Sequence, residues 1–207
     1  VKTDQTNRAS VEAVIGATGS GKGVWIKSRI TKADKRLAVW DYMREYSHLC
    51  DVTTDRIGVA IAAMRQGLFK VAFQPSYDDK IRAKQFDMFC KAAVFAGDVL
   101  VVIEELSFVT TPSWAPPGWK MVTSIGRHRG LRVIGASQRP AQVDKAFWSN
   151  CTEVHCGFLL YEEDQKVMAK ALQVPISDIQ SLVELQYIHR NVRAKENKLG
   201  FVKPLRM

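Results

Sequence analysis

The sequence has 207 residues, 46% of them hydrophobic and 25% charged, a length and mixture that suit one globular domain and exclude a disordered or fibrous chain. Its 30 Lys and Arg against 21 Asp and Glu give a net charge of +9, which favours a polyanionic partner. No apolar run approaches the roughly 18 residues of a membrane-spanning helix, and the polar start has no signal-peptide core.

In chain order, residues 1–10 read as a frayed lead-in. Val11 to Ile15 is a short apolar, β-branched run, a buried strand. A glycine-rich turn follows, and Lys22 to Thr31 has helical character with mixed faces. Leu37 to Trp40 is a second buried strand, ending at Asp41, and a short polar and aromatic segment comes next. Asp55 to Gln66 is predicted helical, Phe69 to Phe73 a third strand, and Asp79 to Phe95 an amphipathic helix stopped by Gly97. Val99 to Ile103 is the most hydrophobic strand. Ser107 to Gly118 is predicted as a loop, Trp119 to Ile125 as a short helix, and Arg132 to Ala136 as a strand. Val143 to Ser149 is a short helix or loop, Thr152 to Leu159 a strand, and Glu162 to Leu172 a helix. Pro175 opens a last helix through Leu182, and Glu184 to Val192 with Gly200 to Val202 form a terminal hairpin. Alternating strands and helices imply an α/β fold in one domain, 1–207, with a mostly parallel sheet, helices on both faces and a short C-terminal β hairpin.

The chemistry starts at the turn Gly16-Ala17-Thr18-Gly19-Ser20-Gly21-Lys22-Gly23, which runs into Val24. It is the phosphate-binding pattern G-x-x-x-x-G-K-[Ser/Thr] with the last position altered. Glycines let the backbone close around phosphate oxygens, successive N–H groups point inward, and the helix N-terminus favours negative charge. Lys22 reaches the outer phosphates. Gly23 lacks the hydroxyl that holds Mg²⁺, so the ion needs another ligand, such as water, Ser20 or Glu104. Glu104-Glu105 follows the most apolar strand. The first acid suits the metal and the second suits positioning or deprotonating an attacking water; the plain alternative is a solvated strand end. Ser137-Gln138 ends the next strand, where a polar side chain can meet the γ-phosphate or the water. Gly126-Arg127-His128-Arg129-Gly130 precedes that strand, and either arginine is a candidate to act across a subunit boundary. The four cysteines form no C-x-x-C pair and are expected as free thiols. The four histidines are dispersed, and no catalytic zinc is expected.

Taken in order, the loop, the Glu-Glu strand, the arginine turn and Ser137-Gln138-Arg139-Pro140 resemble the FtsK/HerA superfamily of DNA-pumping P-loop ATPases. Within it they look most like the genome-packaging ATPases of tailless, internal-membrane viruses and phages. The resemblance covers roughly Val11 to Leu172. It implies a RecA-like or FtsK/HerA-like core using ATP and Mg²⁺. It also implies a homo-oligomeric ring, hexamer or pentamer, that moves double-stranded DNA at a capsid vertex or portal, with virion membrane proteins as further partners. The expected locations are the virion and the host cytoplasm. On this resemblance Lys22 binds phosphate, Glu104 serves the metal, Glu105 activates water, Gln138 senses the γ-phosphate, and Arg127 or Arg129 acts in trans. Lys120, Arg139 and Lys145 are the DNA candidates, beside a Pro-rich loop carrying Trp114; for both Trp114 and Trp119 the plainer reading is packing. The competing readings are a filamentous-phage assembly ATPase of the zonula-occludens-toxin kind, a small-molecule P-loop kinase, and a non-hydrolysing module with a relic loop.

Overall fold

A computed structural model describes residues 9–203. The lead-in predicted for 1–10 lies largely outside them. One mixed sheet of nine strands runs through the molecule. It is made of β1 (Ser10–Ile15), β2 (Arg36–Trp40), β3 (Val52–Thr54), β4 (Phe69–Phe73), β5 (Leu100–Ile103), β6 (Arg132–Ser137), β7 (Glu153–Gly157), β8 (Gln186–Asn191) and β9 (Glu196–Phe201). Their order is β3-β4-β2-β5-β6-β1-β7-β8-β9. The seven strands from β3 to β7 are parallel neighbours, and β7-β8-β9 are antiparallel.

The apolar runs form strands because the sheet is covered on both faces. Successive side chains point to opposite sides, so a strand buried twice has no polar alternation to show. In β2, Ala38 and Trp40 join one core while Leu37 and Val39 join the other; in β5, Val101 and Ile103 part from Leu100 and Val102 in the same way. The first core is larger and holds Trp40, Phe73, Phe86, Phe89, Trp119 and Phe147, all fully buried. Burying each such ring is worth about 2–3 kcal/mol relative to exposure.

The helices are α1 (Lys22–Arg29), α2 (Ile57–Met64), α3 (Asp79–Ala96), α4 (Pro117–Ile125), α5 (Lys145–Asn150), α6 (Glu162–Leu172) and α7 (Ile176–Gln180). The two faces are covered unequally. The buried apolar side chains of α2 to α7 belong to the first core, and α1 with its buried Ile26 serves the second. The mixed faces of α1 follow from how it is held. Trp25 Nε1 donates to Glu12 at 2.7 Å, and Arg29 bridges Glu12 at 2.9 Å and Glu153 at 2.6 Å. The guanidinium of Arg29 thus supplies the cation for the acidic pair on β1 and β7.

His155 on β7 stacks on Trp25 at 4.0 Å and meets Tyr187 at 4.7 Å. It is fully buried, and neither ring nitrogen has a partner. Burial holds its pKa well below the ordinary value, and His189 and Arg29 add to the effect. Above pH ~6.5 the imidazole is neutral in both the folded and unfolded chain. Below that, only the unfolded chain takes up the proton, so stability falls by up to about 1.4 kcal/mol per pH unit. Glu104, whose pKa burial raises to about 7, contributes the opposite slope over the same range, so the His155 contribution is read as the difference between the slopes of the unmodified chain and His155→Phe in chemical denaturation between pH 7 and 5. Glu153, whose pKa is lowered by the hydrogen bond from His189, acts in a more acidic window. An unchanged slope in His155→Phe would assign the proton elsewhere.

Candidate active site

The C-terminal ends of β1, β5 and β6 lie side by side, and each delivers one motif to the same edge of the sheet. After Ile15 the chain turns through Gly16–Gly21 into α1. Ala17 N–H donates to Phe158 O at 2.9 Å and Gly16 N–H to Ser137 O at 3.4 Å, so the loop is tied to both flanking strands. Gly21 has φ 86°, a left-handed conformation that favours glycine. A Cβ on Gly16 would fall 2.4 Å from Ser20 Oγ. The first turn of α1 has neither a side-chain cap nor an acidic residue, which leaves its N–H groups for an anion. Lys22 folds back over the loop, donating to Gly16 O at 2.6 Å and Ala17 O at 3.3 Å. Burial lowers its pKa, and the carboxylates of Glu105, Glu104 and Glu45 pull the other way.

The two glutamates after β5 diverge. Glu104 accepts from Met43 N–H at 2.9 Å, toward the segment after β2. Burial pushes its pKa up to about 7; the Met43 bond opposes this, while Asp41 and Glu45 reinforce it. Glu105 turns the other way, in a left-handed backbone conformation at φ 52°. Such a conformation costs a non-glycine residue on the order of 1–3 kcal/mol and aims its side chain. Its carboxylate accepts from Ser107 Oγ at 2.7 Å, Ser137 Oγ at 2.8 Å and Gln138 N–H at 3.0 Å. Gln138 Oε1 in turn accepts from Thr18 Oγ1 at 3.2 Å. The phosphate-type loop, the acidic strand and the polar strand end therefore form one hydrogen-bonded chain, Thr18–Gln138–Glu105–Ser137. Sequence reasoning missed Ser107, which carries no motif of its own.

The other candidates stand elsewhere. Arg127 and Arg129 precede β6, at the opposite edge of the sheet, one strand of about 20 Å away from the loop. Arg129 donates to Val94 O and Phe95 O at 3.1 Å each and so caps the end of α3. Arg127 lines a cleft of about 230 Å³ with Ser10, His128 and Arg193. Arg139 pairs with the buried Asp164 at 2.7 Å and lies 4.4 Å from the Tyr161 ring, tying the end of β6 to α6. Lys120 and Lys145 are exposed. They flank a bond from Trp119 Nε1 to Asp144 Oδ2 at 2.8 Å; Trp119 is fully buried, whereas Trp114 is 49% exposed.

A mostly parallel sheet with this loop after β1 and an acidic strand nearby defines a P-loop NTPase fold. No protein-family model matches the chain. Among curated proteins it is similar to Protein P9 of Pseudoalteromonas phage PM2, 27% identical over 188 residues that span 87% of this chain and 83% of that one. Among solved structures it is similar to the genome packaging NTPase of Sulfolobus turreted icosahedral virus 2, solved with AMPPCP. The TM-score there is 0.77 and the identity 16%, with 97% of this chain and 100% of that one covered. The N-terminal domain of zonular occludens toxin from Neisseria meningitidis matches at TM-score 0.50 and 10% identity, over 94% and 95% of the two chains. At these identities the structural matches establish the fold, and the fold is the one that the sequence motifs resemble. Among the described residues no helix is long and apolar enough to cross a membrane.

Proposed function

We propose that the chain is an ATP-driven translocase of double-stranded DNA that packages a viral genome, working as a ring of identical subunits at a capsid vertex. The observation that carries this reading is the Thr18–Gln138–Glu105–Ser137 chain beside Lys22. It is supported by the genome packaging NTPase among the fold neighbours, which was solved with a nucleotide analogue. The toxin-like fold neighbour matches less well, so the filamentous-phage assembly reading has weaker support.

In this reading Lys22 leaves the carbonyls of Gly16 and Ala17 for phosphate oxygens, which replace two neutral acceptors with a charged one. The loop N–H groups and the start of α1 hold the remaining oxygens. Mg²⁺, when bound, offsets charge on the outer phosphates; Glu104, buried at the end of β5 and close enough to Asp41 and Glu45 to feel their charge, fits a divalent cation. Glu105 orients the attacking water and takes its proton. Gln138, bonded to Glu105 through its backbone and to the loop through its side chain, links the state of the γ-phosphate to β6. Arg127 or Arg129 acts on a neighbouring subunit's nucleotide, and Arg129 must release the end of α3 to do so. Lys120 and Lys145, with Arg139 if Asp164 lets it go, contact DNA phosphates without reading sequence.

The test is the Mg²⁺-dependent ATP hydrolysis rate with and without long double-stranded DNA, beside a panel of small metabolites. DNA is expected to stimulate hydrolysis. Phosphoryl transfer to a metabolite would make the chain a kinase, and a rate indifferent to DNA would remove the motor.

A further inference from the structure

Gly23 is the departure from the phosphate-loop pattern, and a carboxylate stands beside it. A Cβ placed on Gly23 would lie 3.4 Å from Glu45 Oε2. Glu45 is brought there by the turn that follows β2. Asp41, fully buried, accepts Glu45 N–H on Oδ1 at 2.7 Å and Tyr46 N–H on Oδ2 at 3.2 Å. Tyr46 is itself fully buried against the second core, which anchors the turn. From the other side, Lys27, one turn along α1 from Gly23, pairs with Glu45 Oε2 at 3.2 Å. The carboxylate is thus held against the first turn of α1, and its charge is felt by both Lys22 and Glu104.

The substitutes expected from sequence are less well placed. Ser20 Oγ is enclosed between Gly16 and Gly157, where a Cβ on either would lie within 3.3 Å of it. Glu104 is already committed as the strand-end acid, with Met43 N–H on its carboxylate. A carboxylate is a hard oxygen donor of the kind Mg²⁺ takes, one or two at a time, together with substrate phosphates. A Cβ at position 23 would sit in ordinary contact with that carboxylate, so the place of the missing hydroxyl and the carboxylate adjoin.

We infer that Glu45 supplies the protein oxygen that the missing hydroxyl of position 23 would give to the nucleotide-bound divalent ion, so that Gly23 and Glu45 are two halves of one substitution. This rests on the nucleotide-binding reading above. Asp41 is the positioning residue, acting through the backbone N–H of Glu45.

The experiment titrates Mn²⁺, followed by its electron paramagnetic resonance, into the full chain with the non-hydrolysable analogue AMPPCP. Binding of the metal-free analogue is measured in parallel. In Glu45→Gln the Mn²⁺ affinity is expected to fall about 10- to 100-fold, the range for losing a group that supports a metal, with metal-free binding undiminished. Adding Gly23→Ser to Glu45→Gln restores the hydroxyl and is expected to recover most of the loss. Unchanged Mn²⁺ affinity in Glu45→Gln overturns the inference. So does a fall matched by metal-free binding, or the absence of any recovery with Gly23→Ser, because each reduces Glu45 to a structural partner of Lys27. Failure of the unmodified chain to bind AMPPCP at all would instead strike the nucleotide-binding reading itself.

Discussion

Glu105→Gln is expected to bind ATP with nearly unchanged affinity and to hydrolyse it about 10²- to 10⁴-fold more slowly, the range lost with a general base. The substitution is close to isosteric. A glutamine oxygen at position 105 still accepts from Ser137 Oγ and Gln138 N–H, the two bonds that join β5 to β6 here. The left-handed backbone at φ 52° is set by the turn into Ser107, and the variant inherits it. The amide lacks only a basic oxygen for the proton of the attacking water. Lys22→Ala should behave differently. The loop loses the cation that otherwise moves from two carbonyls to phosphate, so nucleotide binding itself is expected to fail. Single-turnover hydrolysis and binding of a fluorescent ATP analogue separate the two outcomes. A hydrolysis rate undiminished in Glu105→Gln would remove Glu105 from the reaction and turn attention to Glu104.

Much of this was readable because the motif-bearing strands are buried on both faces. Val99 to Ile103 is an unbroken apolar run and Val11 to Ile15 is interrupted only by the buried Glu12, and each ends at the edge where its motif begins. Lys22, Glu104, Glu105 and Gln138 could be named because each sits at the end of such a run. Strands without that burial escaped. Val52–Thr54 is three residues long, half-exposed and at the sheet edge, with neither an apolar run nor alternation. Glu196–Phe201 is an edge strand exposed along nearly its whole length, so its charged first half reads as a turn and only Gly200 to Val202 as strand. Glu45 was invisible for a different reason. It follows a strand with no motif, and its place beside Gly23 depends on Asp41 folding the chain back, a tertiary event with no local signature. Lone basic residues were similarly ambiguous. Nothing in the sequence marks the partners of Arg129 and Arg139, yet one caps α3 and the other pairs with a buried aspartate.

The arginine turn gives the second large effect. Gly126–Arg129 precedes β6, while the loop and Glu105 lie where β1 and β5 end. All three strands are parallel, so about 20 Å of sheet separates the arginines from their own nucleotide site. Neither side chain spans that distance. In a head-to-tail ring, however, one edge of each subunit faces the opposite edge of the next. An arginine that completes a site this way is worth about 10³ to 10⁵ in rate. Arg127→Ala and Arg129→Ala subunits are each compared, alone and mixed with Glu105→Gln subunits. Each variant alone is expected to be nearly inactive if its arginine is the one that acts. Mixed in equal amounts, about a quarter of interfaces pair an intact Glu105 with an intact neighbouring arginine, and activity should return in that proportion. The Arg129→Ala arm also loses the cap on α3, so its thermal stability is measured beside its activity. A loss that tracks stability and does not recover on mixing assigns Arg129 to the fold and leaves Arg127 as the acting group. If neither mixture regains activity, the site is complete within one chain or is completed by another residue, and the arginine turn has no part in the reaction.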